Sequence, residues 1–376
     1  MSWAVEPIKT TVPIAVVGEL DAGNVVAAPQ HVVADSGVTG SGFAEVSSSA
    51  EFEVVVRSRS HLSADAAVEK LVEPLPDRWT EAGSPQPSAT VHIEPVTTSV
   101  VVQRPGQLVI IGGAEDRVGG TVILRRFRDL CGGENARIAV LGTATRIPIE
   151  VGHDYIQAFR AIGVGEVVML PLASRYEANS VETIKILEEV DGVFFTGGDQ
   201  QRISAIVGGS RVGAWLHQKF EQGLVIAGTS AGAAMMSSIM ILGGSARATS
   251  TSAVSLGPGL GFLPGVVIDM HFSERRRLPR LLAAVARFPH DLGIGIDEDT
   301  ALIVDGNRLE ILGAGTVTII DASEATSIVN PYDERPIALT GALIHVLATG
   351  YSFDLATRSA KITTGAKVER RLSQAS

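Results

Sequence analysis

The chain has 376 residues, 45% of them hydrophobic, which suffices for one large domain or two modest domains with well-packed cores. Its formal net charge of −10 argues against non-specific nucleic-acid binding, because that binding needs clustered positive charge. The lone cysteine, the lack of a secretory signal and the lack of a membrane-length apolar stretch predict a cytoplasmic protein without a membrane partner.

Residues 1–104 are predicted to form a small N-terminal domain of α+β or β-rich type, with a partly ordered extension as the alternative. Alternating or continuous apolar residues predict strands over 12–17 and 51–56. A helix is expected over 63–73, with Ser63 as its N-cap and a proline after its last residue. This region contains no catalytic motif.

Residues 105–376 show the alternation of predicted strands and helices that is typical of an α/β domain. Short apolar runs, each of strand length, occupy 108–111, 137–142, 166–170, 192–196 and 224–227. Segments with helical periodicity, such as 121–130 and 181–189, lie between them. We therefore predict a parallel sheet flanked by helices, with the functional site at the carboxyl ends of its strands. The stretch 300–355 predicts a C-terminal β-rich part of strands and hairpins.

A candidate nucleophile lies in the segment Gly228-Thr229-Ser230-Ala231-Gly232, which matches the G-x-S-x-G elbow. The elbow needs glycines because the serine occupies a tight, strained turn that exposes its hydroxyl group. The string alone is weak evidence in a chain with 40 glycines. An apolar strand before it and a predicted helix of small residues over 231–238 strengthen the assignment. The helix N-terminus would favour a developing oxyanion.

A general base and its carboxylate partner are expected at the ends of other strands. Of the eight histidines, His271 stands at the end of an apolar strand, where it could accept the serine proton. The run 293–296 predicts another strand, and it is followed by Asp297, Glu298 and Asp299. Spacing alone does not choose among these three acids. The order serine, histidine, acid argues against an ordinary α/β-hydrolase, which usually has the acid before the histidine.

Several motifs in one order extend this assignment. They are VIIGGAED, FFTGGDQQRI, IAGTSAGAAMMS, GLGFLPGVVIDMHFSERRRLPRLLAAVARFP and GIGIDEDTA. Together they resemble the peptidase family that contains cyanophycinase and aspartyl dipeptidase, most closely its cyanophycinase branch. The resemblance implies a fold similar to the class I glutamine amidotransferases and a triad of Ser230, His271 and Glu298. It also implies oxyanion stabilisation by the backbone N–H groups of Gly198 and Ala231.

The resemblance further implies a substrate and the residues that hold it. Cyanophycinases cleave a polymer with an aspartate backbone and arginine on each side-chain carboxyl, releasing β-Asp-Arg dipeptides. The side chains that match substrate-site positions, or lie beside them, are Asp199, Gln200, Asp269, Arg275, Arg277 and Arg280. Guanidinium groups suit the free carboxylates of such a polymer. No metal or cofactor is expected, and the resemblance implies a homodimer.

Three features depart from the family pattern. Met270 stands where the family has a glutamine next to the base, which removes a polar group from the substrate site. The loop 243–252 lacks the acidic residue expected there, and the hundred-residue N-terminal region has no counterpart in compact members. We therefore keep two alternatives to a cyanophycinase: a peptidase of the same mechanism for another aspartyl or isopeptide-linked peptide, and a non-catalytic peptide-binding relative. A cysteine amidotransferase is disfavoured by the serine at the elbow.

Overall fold

The structure is a computed structural model that describes residues 9–11, 53–56, 97–102, 104–244, 254–328 and 336–363. Contacts between residues divide the chain into two compact units, Met1–Gln103 and Arg104–Ser376. The two units are described separately below.

The first unit contains a three-stranded sheet made of β1 (Lys9–Thr11), β2 (Glu53–Val56) and β3 (Thr97–Val102). β3 is central, antiparallel to β1 and parallel to β2. The strand β2 lies within the predicted strand 51–56. The predicted strand 12–17 and the predicted helix 63–73 fall outside the described residues, so the N-terminal domain stays a prediction.

The second unit contains the remaining strands. They are β4 (Leu108–Ile111), β5 (Arg137–Leu141), β6 (Glu166–Leu170), β7 (Gly192–Phe195), β8 (Val225–Thr229), β9 (Ile239–Gly244), β10 (Val254–Pro258), β11 (Val266–Met270), β12 (Leu292–Ile296), β13 (Thr300–Asp305), β14 (Arg308–Gly313), β15 (Thr316–Asp321), β16 (Thr326–Ile328), β17 (Ala338–Thr340), β18 (Leu343–Ala348), β19 (Tyr351–Asp354) and β20 (Ser359–Ile362). The five predicted apolar runs all become strands, with ends shifted by at most two residues.

The helices of this unit lie mainly between the parallel strands. They are α1 (Val122–Leu130), a 3₁₀ turn (Gly133–Asn135), α2 (Pro148–Ala161), α3 (Arg175–Ala178), α4 (Val181–Leu187), α5 (Gln200–Val207), α6 (Arg211–Glu221), α7 (Ala231–Ala234) and α8 (Leu278–Arg287). No helix within the described ranges combines the length and apolar character needed to cross a bilayer.

The main sheet has nine strands in the order β20-β19-β14-β13-β4-β8-β7-β5-β6. β4, β8, β7, β5 and β6 are mutually parallel, and the four C-terminal strands extend the sheet antiparallel beyond β4. The predicted parallel sheet flanked by helices, with a C-terminal β-rich part, is therefore confirmed. The main sheet as a whole is mixed, because its C-terminal strands join it through hairpins.

Apolar residues on both faces of the central strands explain their continuous apolar runs. Along β4, Leu108 and Ile110 face one buried cluster, while Val109 and Ile111 face another. Helices cover both faces of a parallel sheet, so each side chain of its central strands is buried, whichever face it points to.

A second sheet carries the remaining site elements, and the sequence patterns did not separate it from the first. Its order is β11-β12-β15-β18, with β11 parallel to β12 and the other neighbours antiparallel. The helix α8 packs against β12 and β11. The site is therefore assembled between the strand ends of two sheets rather than along the edge of one.

Candidate active site

Ser230 lies in a sharp turn between β8 and α7, as the elbow motif predicts. Its backbone has φ 52° and ψ −107°, a conformation that a non-glycine residue rarely adopts. A Cβ atom on Gly228 would lie 2.2 Å from the carbonyl oxygen of Gly232, and one on Gly232 would lie 2.6 Å from the carbonyl oxygen of Phe195. Both glycines of the motif are therefore required by close backbone approach.

The predicted helix after the serine is shorter than expected. α7 ends at Ala234 instead of continuing to residue 238. The carbonyl groups of Met235 and Met236 accept hydrogen bonds from the N–H groups of Leu260 and Leu263. These tertiary hydrogen bonds replace the next helical turn, and four residues provide only a small helix dipole.

His271 follows β11 and reaches the serine with its ring. Its Nε2 atom lies 2.8 Å from the Ser230 hydroxyl oxygen, and its Nδ1 atom lies 2.6 Å from Glu298 Oε1. The carboxylate can only accept, so Nδ1 carries the proton and Nε2 accepts from the serine hydroxyl. The residue is 8% exposed, and its backbone N–H donates to the carbonyl of Gly112 at 2.8 Å. The structure therefore brings all three predicted triad residues together.

The structure chooses among the three neighbouring acids. Glu298 faces the histidine. Asp297 points to the other side and accepts hydrogen bonds from the backbone N–H groups of Ser273, at 3.0 Å, and Thr316, at 3.0 Å. Asp299 accepts from the N–H of Asp116 at 2.9 Å. Successive side chains thus leave the strand end in different directions, and the middle one reaches the imidazole.

Gly198 and Ala231, whose N–H groups are the predicted oxyanion donors, lie on either side of the nucleophile. Ala231 is the first residue of α7. A Cβ atom on the neighbouring Gly197 would lie 3.9 Å from the Ser230 hydroxyl oxygen, so the 197–198 turn directly flanks the serine. Gly198 itself has φ 143°, and a Cβ there would lie 2.3 Å from the Ala144 carbonyl oxygen. Only glycine fits this close approach.

Asp269 lies beneath the site, which revises its predicted contact with substrate. Its side chain is completely buried and forms ion pairs with Arg280 and Arg277. Arg280 Nε donates to Asp269 Oδ2 at 2.6 Å, and Arg277 Nη1 lies 3.1 Å from Oδ1. Arg280 is itself only 8% exposed. Asp269 and Arg280 are therefore placed to support the site from beneath its surface, since neither side chain is open to a ligand.

The other predicted binding residues lie nearer the surface. Arg275 and Asp199 are exposed, and Asp199 also caps α5 by accepting from the N–H of Gln201. Gln200 donates its side-chain amide to the carbonyl of Ile241 at 2.7 Å. Met270 is buried, and its carbonyl accepts from Arg277 at 2.5 Å. Most of the loop 243–252, which lacks an acidic residue, falls outside the described residues.

Burial and nearby cations favour the neutral form of the His271 imidazole. Burial lowers the pKa of His271 below its ordinary value of 6.5, and the cationic Arg275 and Arg277 lower it further, whereas Glu298 opposes them. A neutral imidazole is the form that can accept a proton from the serine. Cys131, by contrast, is buried, and burial raises the pKa of its thiol well above the usual range. It is therefore no nucleophile.

Two residues shape the site in ways that the residue patterns do not predict. Gly113 has φ 107°, and a Cβ there would lie 2.3 Å from His271 Cε1, so glycine makes room for the imidazole ring. Asp297 holds the loop after His271 against β15 through Ser273 and Thr316. The glycine pair after β4 belongs to the motif VIIGGAED, but only the tertiary structure shows which side chain occupies the space beside it.

Comparisons with known proteins agree with this geometry. The model of Peptidase family S51 matches residues 108–312, more than half of the chain. A cyanophycinase from Trichormus variabilis is 39% identical over 257 residues, covering 67% of this chain and 86% of the relative. A cyanophycinase from Synechococcus elongatus is 38% identical over 274 residues, covering 71% of this chain and 85% of the relative. A cyanophycinase from Geminocystis herdmanii is 37% identical over 256 residues, covering 66% of this chain and 94% of the relative.

A solved structure shows the same fold. The crystal structure of a peptidase from an acI-B1 actinobacterium superposes with a TM-score of 0.50 at 20% identity. The match covers 67% of this chain and 98% of that chain. The family match, the relatives and the shared fold lead to one conclusion: the chain belongs to peptidase family S51 and is a serine-type peptidase.

Proposed function

We propose that Ser230, His271 and Glu298 form a catalytic triad that hydrolyses cyanophycin to β-Asp-Arg dipeptides. The observation that carries the proposal is the pair of hydrogen bonds that link the three side chains. Ser230 Oγ lies 2.8 Å from His271 Nε2, and His271 Nδ1 lies 2.6 Å from Glu298 Oε1. The strained backbone of Ser230 supports it, because such strain concentrates where a nucleophile must be exposed.

The proposed reaction follows from these contacts. The Ser230 oxygen attacks the scissile carbonyl carbon while its proton moves to His271 Nε2. The carbonyl oxygen becomes an oxyanion beside the N–H groups of Gly198 and Ala231. When the C–N bond breaks, Nε2 returns the proton to the leaving amine and an acyl-enzyme remains. A water molecule then attacks the ester and gives a proton to Nε2. As the bond between the acyl carbon and the Ser230 oxygen breaks, Nε2 passes that proton to the serine oxygen and the acid product leaves. Glu298 orients the ring throughout.

The substrate assignment is supported by the relatives and by the charges around the serine. The relatives that share 37–39% identity are called cyanophycinases. The exposed Arg275 near the base offers a cation for a free substrate carboxylate, and the exposed Asp199 beside Gly198 offers an anion for a substrate guanidinium. Asp269 and Arg280 would act indirectly, by holding Arg277 and the loop that bears Arg275.

One feature favours a second candidate, a peptidase of the same mechanism for another aspartyl or isopeptide-linked peptide. Met270 replaces the polar residue expected beside the base, and the residue is only 4% exposed. It therefore supplies no hydrogen bond to a ligand, which leaves the family's substrate with one contact fewer.

The deciding experiment measures β-Asp-Arg release from purified cyanophycin by the wild type, Ser230→Ala and Ser238→Ala. Ser238 is exposed and lies eight residues along, so its variant controls for the substitution itself. We expect release by the wild type and Ser238→Ala, and none by Ser230→Ala. Reaction of Ser230 with a fluorophosphonate but no dipeptide release would transfer support to the second candidate. Lack of both would support the non-catalytic peptide-binding relative.

Two further properties belong to this proposal. We propose a cytoplasmic location, supported by the single cysteine, and a homodimer, supported by the family resemblance. Light scattering of the purified full chain would test the dimer. Fractionation of cells that produce the protein would test the location.

A further inference from the structure

A buried carboxylate lies close to the nucleophile without belonging to the proposed triad. Glu115 is 5% exposed and follows the glycine pair after β4. Its Oε2 atom accepts a hydrogen bond from the Thr229 hydroxyl at 2.5 Å, and its Oε1 atom accepts one from the Tyr155 hydroxyl at 2.5 Å. Both donors are themselves buried. Each carboxylate oxygen is thus held by one neutral hydroxyl group.

This arrangement is costly for a purely structural contact. Burying a carboxylate carries a large desolvation penalty, and neutral hydroxyl donors offset it less than a cationic partner does. An apolar side chain of similar size could fill the same space between α2 and the main sheet. A carboxyl group at this buried position therefore indicates a requirement beyond packing.

The Thr229 contact leads directly to the nucleophile. Thr229 is the last residue of β8, and Ser230 is the next residue in the chain. The N–H of Ser230 also donates to the carbonyl of Ile111 at 3.0 Å. The segment 111–116 thus holds the nucleophile turn at two points, through the backbone at Ile111 and through a side chain at Glu115.

The same segment holds the base and the acid strand. The carbonyl of Gly112 accepts from the N–H of His271 at 2.8 Å, and that of Gly113 accepts from the N–H of Asp299 at 2.9 Å. The N–H of Asp116 donates to the Asp299 carboxylate at 2.9 Å. Residues 111–116 therefore touch all three strand ends from which the triad projects.

We propose that Glu115 is a positioning residue that sets the orientation of Ser230 relative to His271. It does so by holding Thr229 on one side and Tyr155 of α2 on the other. Glu115 does not touch the substrate, and its effect passes through the backbone of the nucleophile turn. This inference rests on the proposed function, in which Ser230 is the nucleophile.

The test compares four variants of the full chain with the wild type. Thr229→Val removes the hydroxyl and keeps the branched shape, whereas Thr229→Ser keeps the hydroxyl. Glu115→Gln removes the charge and replaces one acceptor oxygen with a donor. Phe159→Leu is the stability control, because Phe159 is fully buried in the same cluster as Tyr155. Each variant is measured by the rate of Ser230 labelling with a fluorophosphonate, by kcat and KM, and by unfolding in urea.

We expect Thr229→Val and Glu115→Gln to slow labelling and to lower kcat, each on the order of tenfold to a hundredfold. KM should stay within about twofold, because the substrate contacts are intact. Thr229→Ser should recover most of the rate, and Phe159→Leu should lose stability while keeping its labelling rate. If Glu115→Gln does not fold, the two threonine variants decide.

Two results would overturn the inference. One is labelling of Thr229→Val at the wild-type rate. The other is a decrease in the labelling rate of Phe159→Leu as large as that of Thr229→Val, which would mean that the slower labelling follows from lost stability alone. A wild type that is labelled but releases no β-Asp-Arg is a separate outcome, because it would contradict only the proposed substrate. The labelling rates of the variants would then still test the role of Glu115. A wild type that is not labelled at all would overturn both proposals.

Discussion

The two halves of the site are held in place by different means. Ser230 comes from the main sheet, and its position depends on backbone geometry: a positive φ and two glycines whose neighbours leave no room for a Cβ atom. His271 and Glu298 follow strands of the second sheet, where buried charged groups add to the strand hydrogen bonds. Asp269 pairs there with the buried guanidinium group of Arg280 and the partly buried one of Arg277, and Asp297 holds the loop after the histidine.

This difference predicts that the two halves respond differently to added side-chain volume, to loss of charge and to pH. A turn held by close backbone approach should be damaged by a single added methyl group and should be insensitive to pH. A region held by buried charges should tolerate little loss of charge and should respond to pH. The following predictions test whether the two halves differ in this way.

The largest effect is expected from Asp269→Asn. The substitution leaves the buried guanidinium group of Arg280 and the partly buried one of Arg277 without an anion. Removing one partner of a buried ion pair typically costs about 3–5 kcal/mol, and we expect a decrease of that size in the free energy of unfolding. Urea denaturation followed by fluorescence would measure it.

Asp321→Asn is the matched control for that prediction. Asp321 is also buried, but it pairs with Arg358, whose side chain is 31% exposed and can be solvated when the pair is broken. The control should therefore lose clearly less stability than Asp269→Asn. Equal losses would mean that the buried charge network is no more important than an ordinary ion pair near the surface.

The next largest effect is expected from Gly232→Ala on the nucleophile side. The added methyl group would lie 2.6 Å from the carbonyl oxygen of Phe195, so the backbone has to shift. Overpacking of this kind costs about 1–3 kcal/mol. Displacement of the serine should slow fluorophosphonate labelling on the order of a hundredfold.

Gly243→Ala provides the comparison for that variant. Among the residues that the structure describes, none has an atom within 4 Å of a Cβ atom placed on Gly243, so its variant should label at the wild-type rate. If Gly232→Ala labels equally fast, the turn is not held by close approach.

Asp297→Asn should have a moderate effect. The amide keeps one acceptor oxygen but weakens the hydrogen bonds to Ser273 and Thr316, at a cost of about 1–2 kcal/mol. Burial tends to raise the pKa of Asp297, yet these hydrogen bonds outweigh burial and lower the pKa below its ordinary value of 3.8. The stability difference from wild type should therefore be present above about pH 4 and shrink as the pH falls through the lowered pKa. Urea denaturation at several pH values would show whether it does; a constant difference would contradict the argument.

The smallest effect is expected in the pH dependence of labelling. His271 must be neutral, and its lowered pKa places the loss of activity below pH 6.5. Arg275→Gln removes a cation that lowers this pKa and should move the midpoint to higher pH by a fraction of a unit, since Arg275 is exposed and screened. Glu298→Gln removes a group that raises the pKa and should move the midpoint to lower pH. Shifts in the same direction would contradict the electrostatic account.

Much of the fold and part of the site could be predicted from residue patterns. The parallel strands were found because residues on both faces are apolar, and the nucleophile was found because its turn requires glycines at given positions. The end of α7 was missed, because tertiary hydrogen bonds to residues 260 and 263 replace the next helical turn. A local pattern of small residues contains no information about those distant donors.

The sequence by itself determined the type of sheet, the strained serine turn and the strand ends from which the histidine and the acids project, since each follows from local spacing and steric limits. The tertiary structure alone decided which of three consecutive acids faces His271, that Asp269 is buried against Arg280, and that Glu115 reaches Thr229. The physical reason is that these contacts join residues far apart in the chain. Their geometry depends on how two sheets and the loop 111–116 pack together, which no local pattern of residues specifies.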